Sequence, residues 1–150
     1  EFRSLNDVAM LKTDTLSHYK ETHQIEWANN LPDNCPPENI LVPEEEEFYR
    51  LLINEDVITQ DDWKSQKELH PNSPYKGEDL INAHGLSILK EADHNLFKLP
   101  RYKRFKGLAK IILNPSDGVL KKTYGDKHYT WWRTTLFDEN SAEIINNEKA

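Results

Sequence analysis

Residues 108–136 constrain the fold more than any other stretch, because three apolar runs follow one another there at strand length. Residues 108–113, 119–124 and 127–136 are separated by Asn114-Pro115-Ser116-Asp117-Gly118 and by Gly125-Asp126. Proline and glycine at those places supply the dihedrals of tight connections, so the stretch reads as an antiparallel meander. In the third run, alternation sends Tyr129, Trp131 and Arg133 to one face and His128, Thr130, Trp132 and Thr134 to the other. Either one tryptophan is buried while its neighbour lines a binding surface, or the sheet is covered on both sides and buries both.

Upstream signals are more broken. Residues 48–53 read as the first core strand, with Phe48 and Leu52 on one face, Tyr49, Leu51 and Ile53 on the other, and Arg50 interrupting the first. A short helix is expected from Thr59, which can cap it, to His70-Pro71, which stops it. Residues 86–89 suit a strand or a helix start, and Leu89, Ala92, Leu96 and Leu99 recur at helical spacing before Pro100. Residues 4–28 suit one or two short helices. The prolines at 32, 36, 37 and 43 then exclude helix and favour an extended connector.

These signals predict an α+β fold: an antiparallel sheet of four or five strands, a meander at about 108–136, and two to four helices packed mainly on one face. With 150 residues, one domain is expected overall. It divides into a helical and proline-rich arm at 1–43, an α+β core at 44–137 and a polar tail at 138–150. No apolar run reaches the ~20 residues of a membrane-spanning helix. Cys35 is the single cysteine, which excludes an internal disulfide and fits a reducing, cytoplasmic location.

The net charge of -7 conceals a division. Residues 1–83 carry 7 Lys/Arg against 18 Asp/Glu, whereas residues 84–134 carry 11 against 4. The basic part also holds many aromatics. Lys98, Arg101, Tyr102, Lys103, Arg104, Phe105 and Lys106 form one cluster; Lys121, Lys122, Lys127, His128, Tyr129, Trp131, Trp132 and Arg133 form another. Cations that neutralise phosphates, beside rings that stack on bases, are what single-stranded nucleic acid requires. The plainer reading makes the lysines solvent-facing strand positions that discourage edge pairing, with the aromatics as core. The acidic run Glu44 to Glu47 fits a solvated face or a local match to the chain's own lysines.

Arg50 needs a partner, because an unpaired buried charge is very costly. It is either an anion clamp at a pocket or the mate of an acid such as Asp62 or Glu68. The histidines show no His-x3-His spacing, and His18 and His23 fall on different helix faces, so no metal is expected. There is no Gly-x-Ser-x-Gly elbow and no phosphate-binding glycine loop, and no cofactor is expected. The order of a strand with Phe48-Tyr49-Arg50, the segment Gly85-Leu86-Ser87-Ile88, a helix and an aromatic meander resembles small ADP-ribosyltransferases. That resemblance implies an Arg50 that grips NAD and a late glutamate that directs transfer. Residues 119–136 hold no glutamate, and Glu139 and Glu143 follow in the tail.

Two functions are therefore expected. The first is a non-enzymatic module that binds an acidic protein or single-stranded nucleic acid through the basic, aromatic face at 98–133. The second is a small transferase or hydrolase of NAD or another phosphate-bearing substrate, with Arg50, Ser87 and His128 around a pocket beside Trp132.

Overall fold

The computed structural model describes residues 11–146, in which eight strands form one antiparallel sheet accompanied by three short helices. The elements in chain order begin with β1 (Lys12–Thr15), α1 (Leu16–Thr22), β2 (Asn39–Val42) and β3 (Glu46–Leu52). Next come α2 (Gln66–Leu69), α3 (Glu78–Ala83), β4 (Leu86–Leu89) and β5 (Gly107–Leu113). The chain closes with β6 (Gly118–Lys122), β7 (His128–Arg133) and β8 (Glu143–Ile144). Across the sheet the order is β1-β2-β6-β7-β4-β3-β5-β8.

This corrects the expected four or five strands, although the chain remains mixed α and β. Three of the additional strands come from segments that sequence assigns to the arm and the tail: β1 and β2 from 1–43, and β8 from 138–150. Positions Leu5 and Val8, part of the expected N-terminal helices, lie outside the described residues.

The expected meander is also corrected. β6 and β7 form a hairpin, but β5 pairs with β3 and β8, on the far side of the sheet from β6. Residues 114–118 are therefore a crossover rather than a hairpin turn. The Asn114 N–H donates to the Asp117 carboxylate at 2.8 Å, which closes a one-turn 3-10 helix over Pro115–Asp117. Gly118 then departs at φ 137, where a Cβ would stand 2.3 Å from the Trp132 carbonyl oxygen. A side chain there would collide with β7.

Paired residues of neighbouring strands share a face, so the register sorts the core. Phe48, Leu86, Ile88, Ile111, Leu113, Leu120, Tyr129 and Trp131 join one buried cluster, closed by Trp63 and Phe137. Each such side chain stabilises the fold by about 1.5–3 kcal/mol on full burial. The opposite face carries two separate clusters. Ile40, Val119 and Trp132 pack under Tyr19, Cys35 and Ile81 at one end. Leu51, Leu89 and Leu108 pack under Leu96, Phe97, Tyr102 and Phe105 at the other. Trp131 and Trp132 thus occupy opposite faces and both are buried. Their indole N–H groups donate to the Asp117 and Ile81 carbonyls at 3.1 and 3.2 Å.

The expected helix through Leu89, Ala92, Leu96 and Leu99 does not form. Leu89 ends β4, and the chain then makes 3-10 turns at His94–Lys98 and Pro100–Tyr102. Asp93 caps the first turn through a hydrogen bond from the Asn95 N–H, and Pro100 starts the second. The helix expected from Thr59 is likewise divided, into a 3-10 turn at Gln60–Trp63 and α2. Ser65 caps α2, so its extended backbone separates the two pieces. Among the described residues, no helix is long and apolar enough to cross a membrane.

Candidate functional site

The sheet has a seam between β3 and β4, which meet through the single register pair Tyr49↔Leu89. Beyond that pair the strands part, and the Arg50 guanidinium occupies the gap. Its Nε and Nη2 donate to the Asp62 carbonyl at 3.0 and 2.8 Å, and Nη1 donates to the Ser87 carbonyl at 2.8 Å. One side chain thereby links the half-sheet β3-β5-β8 to β4.

Sequence offers Asp62 or Glu68 as an ionic partner for Arg50. The guanidinium does turn to Asp62, but to its backbone oxygen. The Asp62 carboxylate accepts instead from the Ile53 N–H at 2.9 Å and the Thr59 N–H at 2.8 Å. Glu68 accepts from Asn29 and from the Ser65 N–H. Among the described residues, no carboxylate lies within ion-pair distance of Arg50. Only 8% of Arg50 is exposed, and burial pulls its pKa down to about 10, which leaves it charged at neutral pH.

A cleft of about 320 Å3 opens on this seam. Arg50 and Ser87 lie on its inner wall, and Arg101, Tyr102 and Arg104 come from the 3-10 turn and the loop that follows it. Tyr124 and His128 come from the β6–β7 hairpin. The opposite lip carries Asp61, Asp62 and Lys64. Lys64 is paired with Asp61 at 2.9 Å, and the Asp62 carboxylate is occupied as described. Arg50, Arg101 and Arg104 remain without an ionic partner among the described residues. A chain of net charge -7 thus concentrates three guanidiniums around one concavity. Against them the Asp62 carboxylate, whose charge acts on Arg50, sets a single negative charge, so the balance there is positive.

His128 donates to or accepts from the Thr123 hydroxyl through Nδ1 at 2.9 Å, and that hydroxyl also meets Thr130 at 2.9 Å. Burial first, and then the Arg101 and Arg50 charges, lower its pKa, so the ring is neutral at pH 7. Tyr124 is 59% exposed and sits at φ 55, a conformation that a bulky residue adopts only under strain. Its hydroxyl donates to Asp79 at 3.1 Å and accepts from Asn82 at 3.2 Å, which ties the hairpin to α3.

The structure brings Arg50, Ser87 and His128 into this cleft, together with Tyr102 and Arg104. It separates the remaining basic-face residues. Lys103 and Lys106 are exposed outside the cleft, and Lys121 and Lys122 point to opposite faces of β6. Arg133 turns inward, pairs with Glu139 at 3.1 Å and lies 5.7 Å from the Trp63 ring centre. Trp131 and Trp132 are core residues that offer no contact area. Arg101 belongs to the basic cluster that the sequence marks, whereas Tyr124 is a site residue the sequence does not single out: its signal is weak, an aromatic preceding a turn glycine.

The acidic run proves local. Glu44 pairs with Lys12 at 3.0 Å, Glu46 with Lys90, and Glu47 with Lys110 at 3.6 Å. Among the described residues, no three His, Cys, Asp or Glu side chains converge to hold a metal ion. No family model matches the chain, and neither a curated protein nor a solved structure matches it.

Proposed function

We propose that this domain is a recognition module that takes an acidic group of its partner into the seam cleft, without catalysing a reaction. One observation carries the reading. Arg50 is a buried cation with no carboxylate within ion-pair distance among the described residues, eased only by the nearby Asp62 charge, and it borders an open cavity. A buried charge left so is costly unless something supplies the opposite charge, and a bound anion would do so. Arg101 and Arg104 at the rim add attraction and offer planar forks for bidentate contact. Lys103 and Lys106, exposed nearby, would act at longer range by steering. Titration calorimetry with inorganic pyrophosphate, at low and at moderate salt, tests this. Binding is expected to weaken as salt rises and to fall several-fold in Arg104→Gln. Salt-independent binding, or no binding by pyrophosphate or any other small phosphate compound, removes the reading.

A second reading, a small transferase or hydrolase of a phosphate-bearing substrate, draws support from the convergence of Arg50, Ser87 and a neutral His128 on one cavity. Trp132, which sequence places beside them, is absent from the cleft. The two readings separate on His128→Gln. An enzyme would lose turnover while retaining substrate affinity, whereas a binding module would show no turnover to lose.

A further inference from the structure

The cleft does not end at the seam. A second groove of about 270 Å3 continues from it, and the two share Leu89, Arg101, Tyr102, Tyr124 and His128. At that junction Leu89 is buried, Tyr102 comes from the 3-10 turns, and Tyr124 with His128 comes from the hairpin. Two elements far apart in sequence thus present rings to one slot. The Tyr102 ring is fixed by packing with Leu51, Leu89 and Leu108. Tyr124 is fixed by Asp79 and Asn82 and meets the His128 ring edge-on at 5.3 Å. Arg101 already lies 5.2 Å from the Tyr102 ring centre, at the place where slot and cleft join.

We propose that the ligand is a mononucleotide unit, with its phosphate on Arg50 and Arg101 and its base in the slot between Tyr102 and Tyr124. This rests on the reading of the cleft as an acidic-group site and narrows it. Three guanidiniums suit a phosphate of charge near -2 better than a single carboxylate. The cavity lies at the lower end of the ~300–1,000 Å3 range of small-ligand sites, which suits one nucleotide rather than a dinucleotide. An acidic protein surface would leave the ring slot unfilled. Tyrosine rings in the lining, by contrast, offer partners for the π-face that every base carries. The strained backbone of Tyr124 fits the same account, because glycine or asparagine would hold that turn at lower cost but would leave the slot without its wall.

The test compares adenosine 5′-monophosphate, adenosine and inorganic phosphate by titration calorimetry on the full chain. Single-stranded decanucleotides with and without a 5′-phosphate form two further arms. Adenosine monophosphate is expected to bind at least about tenfold more tightly than either of its parts, since stacking and charge contribute together. Arg101→Gln and Tyr124→Gly, both at the surface, should each lower that affinity by about five- to tenfold while leaving the circular dichroism spectrum unchanged. If the phosphorylated strand binds better still, the unit is a strand end; if it binds more weakly, the unit is a free nucleotide. Phosphate that binds as tightly as the monophosphate would overturn the nucleotide proposal and leave the anion cleft standing. Absence of binding by phosphate, pyrophosphate and the monophosphate would overturn both.

Discussion

The Trp132 face of the sheet is covered twice, by two quite different segments. Over β2, β6 and β7, the cover is α1, the proline-rich stretch and α3, and it contributes Tyr19, Cys35 and Ile81 to a closed apolar cluster. Over β3, β4 and β5, the cover is the pair of 3-10 turns, which also supplies Leu96, Phe97 and Phe105 but carries Arg101 and Arg104 between its apolar residues. The first cover seals and the second leaves a cleft. Apolar anchors alone let a cover settle onto the sheet. Guanidiniums interspersed among them must stay in contact with water or with an anion, and so prevent full closure.

The sharpest way to break this contrast is to damage the sealed side. Trp132→Ala should cost about 3–5 kcal/mol, measured as a shift of the urea unfolding midpoint. A cost below ~1 kcal/mol would mean that the arm does not close over the ring. Gly85→Ala probes the border between the two covers. Its Cβ would stand 2.5 Å from Thr130 Cγ2 and 3.1 Å from Trp132 Nε1. A loss of about 1–3 kcal/mol is expected in thermal unfolding, because both neighbours are buried.

Acidity gives a smaller effect with a definite sign. His128, on the cleft side, has a pKa held below 6.5 by burial. The unfolded chain therefore takes up a proton before the native one does, and this residue makes stability fall as the pH drops below about 6.5. His18 behaves oppositely, since its hydrogen bond to Asp14 at 3.0 Å raises its pKa. Its contribution is present at low pH and lost as the pH rises through its folded value. Ring proton resonances should show His18 titrating above 6.5 and His128 below. A His128 midpoint at or above 6.5 would show a wetter cleft than the geometry implies. Smallest of all, Tyr124→Gly should change stability by less than ~1 kcal/mol, because relief of the φ 55 strain offsets two exposed hydrogen bonds. A larger loss would make Tyr124 a structural residue first.

The contrast also explains what could be read from sequence. Alternation separates Phe48 and Arg50 from Tyr49 and Leu51 within β3, and Tyr129 and Trp131 from His128 and Trp132 within β7, and the register agrees. Which strands become neighbours is a different matter. β5 and β6 are adjacent in sequence yet lie four places apart in the sheet, and no local pattern marks Pro115–Asp117 as a crossover rather than a hairpin. The fate of Trp132 depended on the arm returning to cover it, a contact made across about a hundred residues by the Tyr19 hydroxyl, which donates to the Pro115 carbonyl at 2.7 Å. The cleft was legible in two unconnected pieces, Arg50, Ser87 and His128 as a pocket and the basic cluster that holds Tyr102 and Arg104. That the two meet was hidden because Leu89, Ala92, Leu96 and Leu99 imitate a helix while Asp93 and Pro100 dictate short turns.

Arg50 stands in for the hydrogen-bond ladder that β3 and β4 lack beyond Tyr49 and Leu89. Backbone ladders open by cooperative fraying, whereas a side-chain clasp opens when one rotamer changes. The seam should therefore be where the sheet exchanges its amide hydrogens soonest. An anion that engages Arg50 would slow that exchange on β3 and β4 together, although it touches neither backbone. Recognition would then be legible as a change in the sheet's internal breathing.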